Sequence, residues 1–176
     1  MPIHYPRFYA CLHWLIAALI IVLFAMQYVR RLYGEDVHAI VREWHKSLGL
    51  LLIALIIARL VIRLVGTMPS RFPDPSRLRT FGAHLVHILL WVLMAIVPVL
   101  GVAFLFARGR GVNFFTALQI GPFTSGSAYW GDIAITLHRY GAYALMAFVA
   151  LHVVAALYHR IILKDDLLRR MTLSRR

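Results

Sequence analysis

The sequence predicts an all-α membrane protein built as a bundle of four transmembrane helices. Apolar residues make up 61% of the 176 residues and charged residues 15%, against roughly 25% charged in a typical soluble domain. Four stretches are long and apolar enough to cross a hydrocarbon core, which takes about 20 helical residues. The strict apolar–polar alternation of a barrel strand is missing, so helices are the structure that satisfies the backbone in lipid.

The four predicted spans cover residues 8–29, 47–66, 81–106 and 131–163. One domain over residues 1–176 accommodates them, because a four-helix bundle is the natural packing at this length. The first span is predicted not to be a cleavable signal peptide, since it is too long and no small-residue cleavage site follows it. A single cysteine, Cys11, excludes an internal disulfide.

Positive residues are distributed unevenly between the two sides of the predicted bundle. The N-terminal segment, the connector 67–80 and the C-terminal tail carry ten lysines and arginines, against six in segments 30–46 and 107–130. Four spans put both termini on one side, and the positive-inside rule places that side in the cytoplasm. The net charge of +12 therefore reflects topology more simply than it reflects nucleic-acid binding.

The two longer connectors have different compositions. The connector 67–80, "TMPSRFPDPSRLRT", holds three prolines and predicts a short extended segment. The connector on the other side carries "VNFFTALQIGPF" and has two interpretations. Because long loops tend to be functional, it is a candidate lid lying on the membrane surface. Alternatively, it is a plain connector.

Four histidines in the apolar spans match in depth. An α-helix rises about 1.5 Å per residue, so the 14-residue spacing of His138 and His152 puts both rings on nearly the same face, about 21 Å apart. His13 enters the first span at the depth of His152. His45 opens the second span at the depth of His138. Ionisable groups inside a membrane are costly and by default mark function, so four at matching depths predict a site.

Two opposed imidazoles inside a bundle suit the axial coordination of a planar metal macrocycle. Zinc would require further Cys, His or carboxylate ligands at each level, and none are evident in the sequence. Covalent c-type attachment is excluded because C-x-x-C-H does not occur. The sequence therefore predicts two b-type haems, an inner one on His13 and His152 and an outer one on His45 and His138.

Other polar residues share helix faces with these histidines. Arg59 and Arg63 follow His45 by 14 and 18 residues, which places two guanidiniums at the inner level as candidate partners of haem propionates. Alternatively, both side chains reach the lipid headgroups. Gln27 follows His13 by 14 residues and either contacts the outer haem or makes an ordinary helix-packing hydrogen bond.

Three further histidines lie near the inner end. His84 and His87 are adjacent on one face of the third span, and depth alone excludes neither as a rival of His13. His13 is favoured because "LHWL" lies inside an uninterrupted apolar run. One of His84 and His87 is instead a candidate to hydrogen-bond a propionate or a quinone carbonyl. His159, two turns beyond His152, is either an interfacial residue or part of a quinone site.

These residues resemble the bacterial cytochrome b561 family of small four-helix, two-haem membrane proteins. The resemblance runs along nearly the whole chain, through "LHWL", "HKSLG", "RLVIR", "AHLVHILLW" and "LHVVAALYHRIILKDDLLRRM". It implies a place in the bacterial inner membrane. It also implies the axial ligands His13, His45, His138 and His152, in agreement with the depth argument.

The family includes superoxide oxidases, which pass an electron from superoxide through two haems to ubiquinone. The resemblance implies this activity for the chain and places His159 where those enzymes have a quinone-contacting histidine. Two imidazoles per iron leave no open coordination position, so electron transfer is favoured over oxygen splitting. Basic residues near the outer level would draw in a small anion: Arg30, Arg31, Arg42, Lys46, Arg108, Arg110 and Arg139.

Two other functions are compatible with the sequence. The first is an electron carrier or haem anchor that docks a partner dehydrogenase or hydrogenase subunit. The second is a histidine-lined transporter of metal ions or protons. The sequence identifies no catalytic side chain for any of the three functions.

Overall fold

Four long helices make up most of the chain in the computed structural model, which describes residues 5–33, 35–67, 69, 76–115, 117–123, 125–165 and 167–171. They are α1 (Arg7–Leu32), α2 (Glu35–Val65), α3 (Arg77–Ala107) and α4 (Ala128–Tyr158). Each is long and apolar enough to cross a membrane. The predicted four-helix membrane architecture is therefore confirmed, whereas the single-domain organisation of residues 1–176 stays a prediction.

Segment 30–46, expected to connect two spans, is mostly helical. α1 continues to Leu32 and α2 already begins at Glu35, twelve residues before the predicted span. Hydropathy marks the part of a helix that lies in lipid and gives no signal where the helix extends beyond it. A pair between Lys46 and Glu43, at 2.6 Å and three residues apart, supports this polar part of α2.

The helices pack in chain order, with α1 on α2, α2 on α3 and α3 on α4. The core lies midway along the bundle, between the two histidine levels. Its buried residues on α1, α2 and α3 recur at intervals of three and four, which keeps them on one face of each helix, and α4 adds one residue. They are Ile16, Leu19, Ile20, Leu23, Leu52, Ile56, Leu90, Met94 and Leu145.

α3 approaches α4 closely beyond its midpoint. The sequence predicts a kink or a thinning here from Pro98 and Gly101. The helix runs on through Pro98, and a Cβ added at Gly101 would lie 3.1 Å from Cε1 of His138. The missing side chain of Gly101 therefore allows the imidazole of α4 to lie against the backbone of α3.

The connector between α3 and α4 forms a β-hairpin that is fastened to α2. Strands β1 (Val112–Phe114) and β2 (Leu118–Ile120) pair antiparallel. The buried hydroxyl of Ser47 donates to the carbonyl of Asn113 and accepts from the backbone N–H of Phe115, both at 3.0 Å. The end of the bundle that carries residues 112–120 is called the hairpin end.

The opposite end, called the terminal end, brings the first and the last described segments of the chain together. α4 passes into a π-helical turn, His159–Leu163, and the chain then reverses at Lys164, whose φ of 54° is left-handed. A 3₁₀ turn follows at Leu168–Met171. The backbone N–H of Tyr5 and the indole N–H of Trp14 donate to carbonyls of this turn, at 3.2 and 2.9 Å.

Candidate functional site

Two pairs of histidine rings face each other across the bundle interior. The ring centroids of His13 and His152 are 6.4 Å apart at the terminal end, and those of His45 and His138 are 6.3 Å apart at the hairpin end. In both pairs the ring planes meet at 84°. The structure thus brings together the four residues that the sequence paired by depth. Their role as iron ligands stays a prediction.

The separation within each pair suits one metal ion between two imidazole nitrogens. Metal–imidazole bonds are about 2.0–2.1 Å long, so two rings that share a metal have centroids about 6 Å apart once the ring radii are included. Nearly perpendicular ring planes are compatible with this arrangement, because each ring can adopt any rotation about its own bond to the metal.

The surroundings of the pairs suit a broad, flat ligand. A Cβ added at Gly49, one turn after His45 on the same face, would meet nothing within 4 Å. In the part of the chain that the structure describes, no three His, Cys, Asp or Glu side chains cluster as a protein-only metal site requires. The residues present therefore fit a haem.

The hairpin-end histidines are held by their outward-facing ring nitrogens. Nδ1–H of His138 donates to the backbone carbonyl of Val97 at 2.8 Å. Nδ1 of His45 lies 3.0 Å from the side-chain amide of Gln27. Gln27 was expected to contact the haem or to make a helix-packing hydrogen bond, and the structure places its amide beside His45 on α2. The hydrogen bond from His138 to the Val97 carbonyl could not be predicted, because a backbone acceptor leaves no signal in the sequence.

A buried arginine lies at the depth of the terminal-end pair. Arg59 is 8% exposed, and its guanidinium carbon lies 4.9 Å from the ring centroid of Tyr9 and 5.4 Å from that of Trp91. Its buried Nε has no hydrogen-bond partner among the described residues. A buried cation requires an anionic or hydrogen-bonding partner, which a haem carboxylate would supply. Arg63, one turn further along α2, is exposed and does not share this buried environment.

His84 and His87 are both hydrogen-bonded within α3. Their Nδ1–H groups donate to the carbonyls of Thr80 and Ala83, at 3.1 and 2.6 Å. The ring centroids of His87 and His152 are also 5.1 Å apart, which is shorter than the separation of about 6 Å for two imidazoles that share one metal. This geometry favours His13 over His87 as the partner of His152.

His159 is bonded to a carboxylate that the sequence analysis did not identify. Its Nδ1 lies 2.5 Å from Oδ2 of Asp165, and the other carboxylate oxygen accepts from the backbone N–H of Leu167 at 3.1 Å. Both side chains of the pair are 17% exposed. A six-residue separation is not a helical neighbour spacing, so only the turn after α4 brings Asp165 back to His159.

The basic residues of the hairpin end are partly neutralised. Arg108 forms an ion pair with Asp132, as Lys46 does with Glu43. The side chain of Arg31 lies outside the described residues, and Arg30 is half-buried. Seven basic residues were expected to attract an anion. The other three of them are exposed: Arg42, Arg110 and Arg139.

Comparison with known proteins finds relatives that match over nearly the whole chain. Cytochrome b561 homolog 1 of Escherichia coli is 28% identical over 162 residues, which cover 91% of this chain and 92% of its own. Probable superoxide oxidase CybB of Yersinia pestis is 30% identical over 175 residues, covering 96% and 97%. Cytochrome b562 of Cereibacter sphaeroides is 29% identical over 177 residues, covering 95% and 94%.

The description of the matching family is prokaryotic cytochrome b561, and the match extends over residues 4–173. It covers all four helices and both histidine pairs, and it confirms the resemblance drawn from the short motifs. The chain therefore belongs to the prokaryotic cytochrome b561 family, a family of membrane cytochromes that carry b-type haem.

Proposed function

We propose that this chain transfers electrons from superoxide at its hairpin end to ubiquinone at its terminal end, through two b-type haems. The observation that carries the proposal is the pair of matched histidine sites, one at each end of the bundle. A bis-imidazole haem supplies reversible one-electron transfer without an open coordination position. The similarity to Probable superoxide oxidase CybB supports superoxide as the donor.

The proposed ligand sets follow from the geometry of the pairs. His45 and His138 would hold the haem of the hairpin end, and His13 and His152 that of the terminal end. The two rings on α4 are 14 residues apart, or about 21 Å by helix rise. The reaction balances when two superoxide anions become two molecules of oxygen and release two electrons, which reduce one quinone with two protons.

Charge at the hairpin end supports a small anionic donor. Seven basic residues lie at this end beside four acidic ones, Glu35, Asp36, Glu43 and Asp132. The side chains of Arg42, Arg110 and Arg139 are exposed. A locally positive surface raises the encounter rate of a small anion by roughly ten- to a thousand-fold. We propose that this end faces the periplasm, in keeping with the predicted orientation of both termini.

The terminal end offers a proton donor for quinone reduction. Because Nδ1 of His159 is bonded to Asp165, its Nε2 is left to face a substrate. A histidine held in this way can give a proton to a quinone oxygen as electrons arrive. We propose that His159 contacts the quinone and that Asp165 holds it in place. His87 is a second candidate for the same site.

The experiment uses the purified single chain in detergent. The first measurement is a reduced-minus-oxidised absorption spectrum, which should show haem bands. If the haem bands are missing, transport of metal ions or protons remains as the function. Stopped-flow absorbance then follows reduction by superoxide and, separately, reoxidation by a soluble ubiquinone. We expect superoxide reduction to slow as salt rises, since the Debye length shortens to about 8 Å at physiological ionic strength.

Variants separate the two ends. His159→Ala and Asp165→Asn should leave reduction by superoxide intact and slow reoxidation by quinone, by about 100-fold or more for His159→Ala. Asp132→Asn removes a paired carboxylate at the other end and is the control for Asp165→Asn. Full quinone activity in both terminal-end variants would contradict the proposed quinone site. A chain that superoxide does not reduce would instead be an electron carrier or anchor for a partner subunit.

A further inference from the structure

The imidazole of His45 lies between two different neighbours. On one side it faces His138 of α4, with 6.3 Å between ring centroids. On the other side its Nδ1 lies 3.0 Å from the side-chain amide of Gln27 on α1. A neutral imidazole carries one N–H, so whichever nitrogen holds the proton leaves the other as the lone-pair donor. The neighbour at Nδ1 therefore decides whether Nε2 can bind a metal.

The amide of Gln27 can meet Nδ1 with either of its two ends. If its N–H donates to Nδ1, the ring proton is on Nε2 and that nitrogen cannot bind iron. If its carbonyl oxygen accepts from Nδ1–H, the lone pair of Nε2 is free. A half-turn about the last side-chain bond exchanges the two ends. The end of the amide that Gln27 presents is therefore coupled to the tautomer of His45.

The partner ring shows the metal-binding arrangement. Nδ1–H of His138 donates to the carbonyl of Val97, which leaves Nε2 of His138 free. Metal-bound histidines usually donate their second N–H to a carbonyl or carboxylate, which holds the ring and raises the basicity of the bound nitrogen. For His45 the described residues offer two such acceptors, namely the backbone carbonyl of Leu23 and, when the amide is turned so that its oxygen meets Nδ1, the side chain of Gln27.

We propose that Gln27 is a positioning residue for the hairpin-end haem. Its side-chain carbonyl accepts Nδ1–H of His45 and keeps Nε2 directed at the iron. The proposal rests on His45 being an axial ligand, as proposed above. It goes beyond that assignment because it gives Gln27 a tuning role at one haem only. At the terminal end no described residue hydrogen-bonds a ring nitrogen of His13 or His152.

The acceptor strength at Nδ1 sets the direction of the effect on the reduction potential. A stronger acceptor makes the ligand more basic and stabilises the oxidised iron, so the potential falls. Gln27→Glu should therefore lower the potential of the hairpin-end haem. Gln27→Leu removes the acceptor at similar size and should raise that potential. It should also weaken haem retention by about 10- to 100-fold.

The test is a redox titration of the holoprotein that resolves both haems, together with haem transfer to an apo-globin acceptor. The hairpin-end haem is identified in the titration as the redox component that disappears in His45→Ala. Opposite shifts in the Glu and Leu variants, with the second haem unchanged, would support the proposal. Gln119→Leu, at an exposed position of the hairpin, is the control and should shift neither potential.

Three outcomes would overturn the proposal. They are unchanged potentials in both Gln27 variants, shifts of both variants in the same direction, or a shift confined to the haem that His152→Ala removes. If Gln27→Leu retains too little haem to titrate, haem transfer from Gln27→Glu decides, since that variant keeps the size and an acceptor oxygen. Retention at least as strong as in the wild type supports the proposal, and weaker retention overturns it. Retention of both haems in His45→Ala would instead contradict the ligand assignment and not the role of Gln27 alone.

Discussion

The two ends of the bundle reach the same histidine separation by different means. At the hairpin end, His45 and His138 each have a hydrogen-bonding neighbour at Nδ1, and a strand pair is fastened to α2 beside them. At the terminal end, His13 and His152 have a third imidazole and a buried arginine as neighbours. One pair is oriented by hydrogen bonds, and the other is surrounded by packing and charge.

This difference has a direct electrical consequence. Hydrogen bonds from Nδ1 make an axial imidazole more basic and lower the potential of its haem. A buried positive charge such as Arg59 stabilises the reduced haem and raises its potential. Both effects make the terminal-end haem the better electron acceptor. The asymmetry thus supports the proposed direction of transfer, from the hairpin end to the terminal end.

The largest expected effect comes from removing one ring of a pair. His45→Ala or His138→Ala should remove one haem, and His13→Ala or His152→Ala should remove the other, because a single imidazole leaves the iron without its second axial bond. The haem content per chain, measured as the pyridine haemochrome, should fall by half in each variant. His87→Ala is the control and should keep both haems. Wild-type content in all four ligand variants would refute the pairing.

A second comparison uses two arginines one turn apart on α2. Arg59→Gln removes the buried charge and should lower the potential of the terminal-end haem. One charge at about 4–16 Å contributes roughly 1–4 kcal/mol at an effective dielectric constant of about 20. Arg63→Gln, at the exposed position, should have a smaller effect. Redox titration measures both, and equal shifts in the two variants would mean that burial of Arg59 does not matter.

The smallest expected effect concerns the hairpin. Ser47→Ala leaves the carbonyl of Asn113 and the N–H of Phe115 without their partner, which should cost about 1–3 kcal/mol of unfolding free energy. Hydrogen exchange over residues 112–120 should become faster, while exchange at the terminal end should not change. Ser127→Ala is the control, because the Ser127 side chain makes no capping hydrogen bond. Unchanged exchange in Ser47→Ala would show that other contacts hold the hairpin.

Much of the fold and part of the site could be predicted from periodicity. Apolar length located the four helices, and 14-residue spacing placed His138 and His152 on one face of α4. The same rule matched His13 and His45 to them in depth, and the structure brings both pairs together. These predictions succeeded because helix rise is constant, so position along a helix translates directly into depth.

Other features lay beyond that rule. The sequence placed Arg59 and Arg63 on one face, yet one is buried and the other is exposed, because the first faces Tyr9 and Trp91 on neighbouring helices. Gln27 was assigned the right depth, and only the structure shows that its amide lies beside His45 on α2, since depth does not tell which helix lies opposite. The hairpin was not predicted, because its pairing with α2 depends on contacts between residues more than sixty positions apart.

The sequence by itself determined the membrane environment, the four helices, the two histidine levels and, through its motifs, the family. Each of these depends on local composition or on the fixed geometry of a helix. Only the tertiary structure decided what faces each ring: Val97 and Gln27 at one end, His87 and the charge of Arg59 at the other, and Asp165 against His159. The physical reason is that hydrogen bonds and buried charges depend on contacts between elements, and rotation of one helix against another has no signature along the chain.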